Sequence, residues 1–222
     1  MIRLHVVVEG QTEEVFVRDI LGPELWQSNV ITDVHRITTR RRRVAPYRGG
    51  FVDYNHLRND LVLWMKQDQN TDSHFTTMVD LYALPDNFPG ASDCRRKPDP
   101  IDRVTCLESR LGADIQHPRF IPYLQLYEFE ALLFSDISGF EAAFPARTDK
   151  FEKLKAINDE FPSPEHINEG PDASPSKRIC RLLPEYTKPV AGPLVARQIG
   201  IVRMREQCKH FDSWVKTLTA LR

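Results

Sequence analysis

Apolar and polar positions along this chain switch repeatedly between a period of two and a period near 3.6. Residues 2–8, IRLHVVV, predict a buried strand that ends in β-branched residues. The strand runs into VVVEGQTEEVF, where Glu9, Glu13 and Glu14 fall within six residues. Thr12 stands where its hydroxyl can cap a helix, Glu13 and Glu14 complement the helix dipole, and Val15, Ile20 and Leu21 supply one apolar face before Pro23. Residues 30–38 predict a second strand, and Leu57, Leu61, Leu63 and Trp64 predict a helix over 55–67. HFTTMVDLYAL reads as a strand ending on Asp80, residues 101–113 as a short helix, and RFIPYLQL as a strand running into YEFEALLFSD. After Pro193 the tail reads as helical, with Ile199, Val202, Met204, Phe211, Trp214, Val215 and Leu218 as its apolar positions. Alternating strands and helices predict an α/β fold, a mainly parallel sheet flanked by helices with a helical C-terminal part.

The pattern loosens from 139 to 175, where the chain becomes Pro-rich and mixed in charge. This divides the sequence into a core over 1–138, a partly helical surface insertion over 139–189 with one short helix, and a C-terminal helical segment over 190–222 that packs on the core. Hydrophobic residues at 41% and charged residues at 27% suit a soluble globular protein. A net charge of −1 excludes nucleic-acid binding through bulk charge and leaves only a local patch. The four cysteines have no zinc-like spacing and suggest no disulfide framework, and no apolar run is long enough for a signal peptide or a membrane span. The expected location is the cytoplasm. No P-loop, G-x-S-x-G or G-x-G-x-x-G occurs.

Three of the predicted strands end in acids. Glu9 follows VVV, Asp80 follows TTMV, and Glu128 and Glu130 follow IPYLQLY. Ligands of parallel sheets bind outside the carboxyl ends of the strands, so neighbouring strands would bring these acids to one rim. Clustered carboxylates raise one another's pKa and call for a cation, and oxygen-only ligands favour Mg²⁺, Mn²⁺ or Ca²⁺ over zinc. His5, inside the first strand, reads as a packed core residue, and the Cys208-x-His210 pair lacks a partner pair for zinc.

EGQTEE after an apolar strand resembles the first motif of Toprim domains, in the E-G-x-T-E form of overcoming-lysogenization-defect (OLD) type nucleases. With the strand ending in Asp80, YEFEALLF and the tail CKHFDSWVKTL, nearly the whole chain resembles the domain-of-unknown-function family 4276, which is similar to Toprim proteins. The resemblance implies a Rossmann-like Toprim core and phosphodiester chemistry with Mg²⁺ (or Mn²⁺). Glu9 matches the Toprim glutamate, Glu13 the second acid of the motif, and Asp80 the first acid of D-x-D. Tyr82 stands where the second aspartate is expected, with Asp86 as its possible replacement; Glu130 resembles the later glutamate of RloB-like proteins, and Glu128 would assist. One cation at Glu9, Glu13 and Asp80 and a second near Asp80 and Glu130 would serve cleavage. Lys177, Arg178 or Lys188 would offset the charge of the transition state.

Arg36, Arg40, Arg41, Arg42, Arg43 and Arg48 stand together without an acid between Arg36 and Gly50. Guanidinium groups suit phosphate bidentately, and Tyr47 and Phe51 could stack on a base. The sequence therefore predicts a Mg²⁺-dependent nuclease acting on DNA before RNA. By resemblance it works in phage defence beside an AAA- or ABC-type ATPase, with homo-oligomerisation open. The alternatives are a non-cleaving Toprim-fold module that binds metal or nucleic acid, and phosphoryl transfer on a small nucleotide or RNA.

Overall fold

The structure, a computed structural model, describes residues 1–38, 53–167 and 173–222. Strand β1 (Ile2–Val8) pairs in parallel with β2 (Val30–Arg36) on one side and with β3 (Ser73–Asp80) on the other. Beyond β3 lie two short parallel pieces, β4 (Phe120–Ile121) and β5 (Leu124–Gln125). They replace the single strand expected from RFIPYLQL. Pro122 has no N–H for a ladder, and β3 threonines bridge the gap. Thr76 Oγ1 donates to the Ile121 carbonyl at 2.7 Å, and Thr77 Oγ1 donates to the Tyr123 carbonyl at 2.6 Å.

Strand alternation sends β1 side chains to two cores. Val7 joins Phe75 and Val79 under α3 (Tyr54–Gln67) and α5 (Pro100–Ile115). Asp53 and Asp99 start those helices by accepting N–H groups of Asn55 and Asp102. On the other face Leu4, Val6 and Val8 pack with Phe16 of α1 (Gln11–Phe16), which passes through a π-helical segment (Val17–Leu21) into α2 (Gly22–Trp26).

The same core takes in the later helices. Short α4 (Ala91–Cys94) belongs to the α3 side, whereas α6 (Gly139–Ala143), α7 (Thr148–Asp159), α8 (Pro175–Leu182), α9 (Lys188–Gln207) and α10 (Lys209–Thr219) contribute Phe140, Leu154, Ile179, Val195 and Trp214 to the β1 core. The stretch over 139–189 thus holds more helix than the one short element its composition suggested. YEFEALLFSD is a 3-10 helix over Phe129–Ser135, not a continued strand, and every residue in it is buried. Helix α9 begins before Pro193 and bends at Gly200. Cys94 and Cys106 form a disulfide that ties α4 to α5, a pairing their spacing does not signal.

The chain leaves β1 for β2 on one side and returns to β3 on the other. That reversal makes the carboxyl ends of β1 and β3 a topological switch point, the place where open parallel sheets bind ligands.

Candidate functional site

Glu9 and Asp80 stand at this switch point because each follows the last apolar residues of its strand. Glu9 accepts the Asp80 N–H at 3.2 Å, so the two strand ends are joined directly. Helix α1 starts at Gln11, one residue before the expected cap, and Thr12 is buried inside its first turn. The Glu13 carboxylate folds back to accept the Gly10 N–H at 3.0 Å, and a Cβ on Gly10 would sit 3.3 Å from its Oε2. A side chain at position 10 would therefore crowd this carboxylate and oblige it to shift slightly. Glu14 points away and pairs with Arg36 at 3.2 Å.

Tyr127 brings in the remaining acids. Its φ of 58° turns the chain sharply after β5, and its carbonyl accepts the Tyr82 N–H at 2.9 Å. Asp80 then accepts the Phe129 N–H at 3.0 Å, and Glu128 accepts the Ser176 N–H at the start of α8 at 2.9 Å. Glu130, 1% exposed, accepts from Tyr186 Oη at 3.2 Å and from Lys188 Nζ at 3.0 Å. Lys188 also lies 3.8 Å from Glu128.

The electrostatics are those of a crowded, dry rim. Burial pushes Glu9, Glu13, Asp80 and Glu130 above the ordinary carboxylate range, and neighbouring carboxylates add to it; Glu13 reaches about 7. Burial opposes the Lys188 ammonium, but Glu130, Glu128 and Asp80 outweigh it and hold the lysine protonated. Among the described residues, five carboxylates thus gather around the Lys188 ammonium.

Sequence reasoning gathered Glu9, Glu13, Asp80, Glu128 and Glu130, and the fold brings them together. Asp86 is elsewhere, fully exposed and paired with Arg95 at 2.7 Å, so it does not replace the missing second acid of D-x-D. Of the three cations considered, Lys188 reaches the acids. Lys177 is exposed on α8, and Arg178 lies over the Phe161 ring and donates to the Ala173 carbonyl. Arg40, Arg41, Arg42, Arg43 and Arg48 lie outside the described residues. Tyr186 was missed, although it shares the stretch PEYTKP with Lys188.

An all-oxygen donor set with surplus negative charge fits a hard divalent cation in kind. The fit is incomplete in spacing. Among the described residues, the three His, Cys, Asp or Glu side chains whose ligand atoms all lie within 4.8 Å of one another are His5, Asp33 and His35, none of them at this rim. Glu9, Glu13, Asp80 and Glu128 each accept a backbone N–H, and Glu130 is held by Tyr186 and Lys188.

Residues 8–219 match the family described as Domain of unknown function (DUF4276). The chain belongs to this family. The match runs from the last residue of β1 to the end of α10, so the acid-bearing loops, Lys188 and the C-terminal helices all lie within the family's span. No curated protein and no solved structure matches the chain significantly. Among the described residues no helix is long and apolar enough to cross a membrane.

Proposed function

We propose that this family member is a Toprim-like, cytoplasmic phosphodiesterase that cleaves nucleic acid, DNA before RNA, with Mg²⁺ or Mn²⁺. The observation that carries this reading is the convergence of Glu9, Glu13, Asp80, Glu128 and Glu130 above β1 and β3, with burial driving the pKa values of Glu9, Glu13, Asp80 and Glu130 up. The chemistry that a divalent cation supplies, when held by Glu9, Glu13 and Asp80, is polarisation of the phosphate and stabilisation of the leaving oxygen. Lys188 sits where a second cation was expected and adds positive charge beside Glu130, favouring one metal with a lysine. Tyr186 and Lys188 fix Glu130. On this reading residues 1–138 carry the Toprim-like core, 139–189 deliver Lys188 and the Ser176 N–H, and 190–222 brace them. The arginine run over 36–48, with Arg178 and Lys177, binds the strand. A phage-defence role beside an AAA- or ABC-type ATPase, and self-association, belong to the same proposal.

A second reading, a module that binds nucleic acid without cutting it, is favoured by Tyr82 at the second D-x-D position and by the distant Asp86. The deciding experiment incubates the purified chain with plasmid DNA and with RNA in Mg²⁺ or Mn²⁺, with and without any ATPase encoded beside it. Metal-dependent cleavage lost in Glu9→Gln and Asp80→Asn is expected. No cleavage by the wild type under any of these conditions overturns the nuclease reading, and retained metal-dependent binding would then identify the module. Cleavage unaffected by both substitutions overturns the site.

A further inference from the structure

His5, Asp33 and His35 form a second cluster at the β1–β2 edge. The parallel register sets Asp33 directly opposite His5, and alternation returns His35 to the same face two residues later. His5 Nδ1 lies 3.1 Å from His35 Nε2, while the Asp33 carboxylate is 4.0 Å from His5 Nδ1 and 3.9 Å from His35 Nε2. Two nitrogens bound to one tetrahedral zinc at its usual bond length stand about 3.3 Å apart, so the imidazoles already have nearly the required spacing. The two distances run to different oxygens, Oδ2 and Oδ1, so the half-exposed Asp33 side chain has to swing inward to bring one oxygen to the same separation from both nitrogens.

The rings are held in this posture. His5, 3% exposed, stacks on Phe75 at 5.0 Å, and His35 stacks on Trp64 at 3.5 Å. On its far side His5 Nε2 meets Asp68 Oδ2 at 2.9 Å, and Asp68 in turn accepts from Asn70 and Arg3. An ionised carboxylate accepts only, so it fixes the proton on Nε2 and leaves the Nδ1 lone pair aimed at His35. A carboxylate behind a histidine is the usual outer support of a metal-bound imidazole.

We propose that His5 Nδ1, His35 Nε2 and Asp33 bind a first-row transition-metal ion, Zn²⁺ foremost, with Asp68 as the positioning residue behind His5 and a fourth coordination place open to solvent. Imidazole ligands select this class of cation, whereas the carboxylate rim selects hard ions. The two sites are therefore chemically distinct, and this one does not depend on the nuclease reading. Bound metal clamps β2, an edge strand among the described residues, to β1.

The test titrates metal-stripped full-length chain with Co²⁺ and then Zn²⁺, reading the cobalt d–d spectrum and the melting temperature. One Co²⁺ per chain, a spectrum without thiolate charge transfer, displacement by Zn²⁺ but not Mg²⁺, and a higher melting temperature are expected. His35→Gln and the exposed Asp33→Asn should each weaken binding at least tenfold, Asp68→Asn by about 10- to 100-fold, and Glu9→Gln should leave it unchanged. Folding of each variant is checked by circular dichroism, and Asp33→Asn carries the test if His35→Gln unfolds. No stoichiometric binding by the wild type, binding indifferent to Asp33→Asn and His35→Gln, or binding lost in Glu9→Gln overturns the assignment.

Discussion

Glu130 is a buried carboxylate whose charge depends on Lys188 at 3.0 Å. Removing the lysine as Lys188→Met leaves that charge without its ion pair, and Glu130 takes up a proton. Breaking a fully buried pair costs about 3–5 kcal/mol, but the Lys188 side chain is 44% exposed, so a loss of about 1–2 kcal/mol in urea unfolding is expected. Glu130→Gln in the same chain should recover most of it, because no buried charge is then left unpaired; strictly additive losses would show that the pair is not coupled. Cleavage, where it is present, should be lost in both variants. Glu9 and Asp80 were legible as candidate site residues because each is an acid that closes a run of strand residues. Lys188 was one of three candidate cations that local pattern could not rank, and nothing in the local pattern marks Tyr186 at all.

Helix α9 depends on a bend at the level of the element. Gly200 has φ 76° and ψ 154°, and a Cβ there would meet nothing within 4 Å. The cost of Gly200→Ala is therefore backbone strain alone, about 1–3 kcal/mol, measurable as a lower denaturation midpoint with an unchanged slope. A neutral result would mean that the bend relaxes without the glycine. The Cys94–Cys106 disulfide closes a loop with a sequence separation of 12 between α4 and α5. Reducing it should lower stability by up to about 3 kcal/mol, and Cys106→Ser should reproduce the loss without reductant. Neither feature has a clear sequence signal. A glycine in a helical pattern does not announce a bend, and cysteine spacing does not reveal which helices meet.

At the scale of the whole molecule, the raised carboxylates link folding to pH, and on the proposed reading to cations as well. Glu13 has a pKa of about 7 in the fold against 4.5 ordinarily, so between these values the folded state binds more protons than the unfolded one. Stability then falls as pH rises from about 4.5 to about 7; Glu9, Asp80 and Glu130 shift in the same direction. Thermal unfolding without divalent ions should give a higher melting temperature near pH 5.5 than near pH 8, and Glu13→Gln should flatten the difference. Mg²⁺ should restore stability chiefly at the higher pH, where the carboxylates are ionised and free to bind it. A flat profile from pH 5.5 to 8 would contradict the crowded-acid account.

Local pattern was enough to specify the parallel α/β architecture, the acids at strand ends and the family, because strand and helix periods and short motifs are properties of neighbouring residues. Strand order was beyond its reach, and with it the facts that β1 and β3 flank the switch point, that Lys188 returns from the far end of the chain to Glu130, and that Asp86 faces solvent. His5 is buried as its strand pattern predicted, but its partners stayed hidden, because Asp33, His35 and Asp68 lie on two other stretches of the chain. Those proximities follow from burying both faces of one sheet, a demand that the chain meets only as a whole.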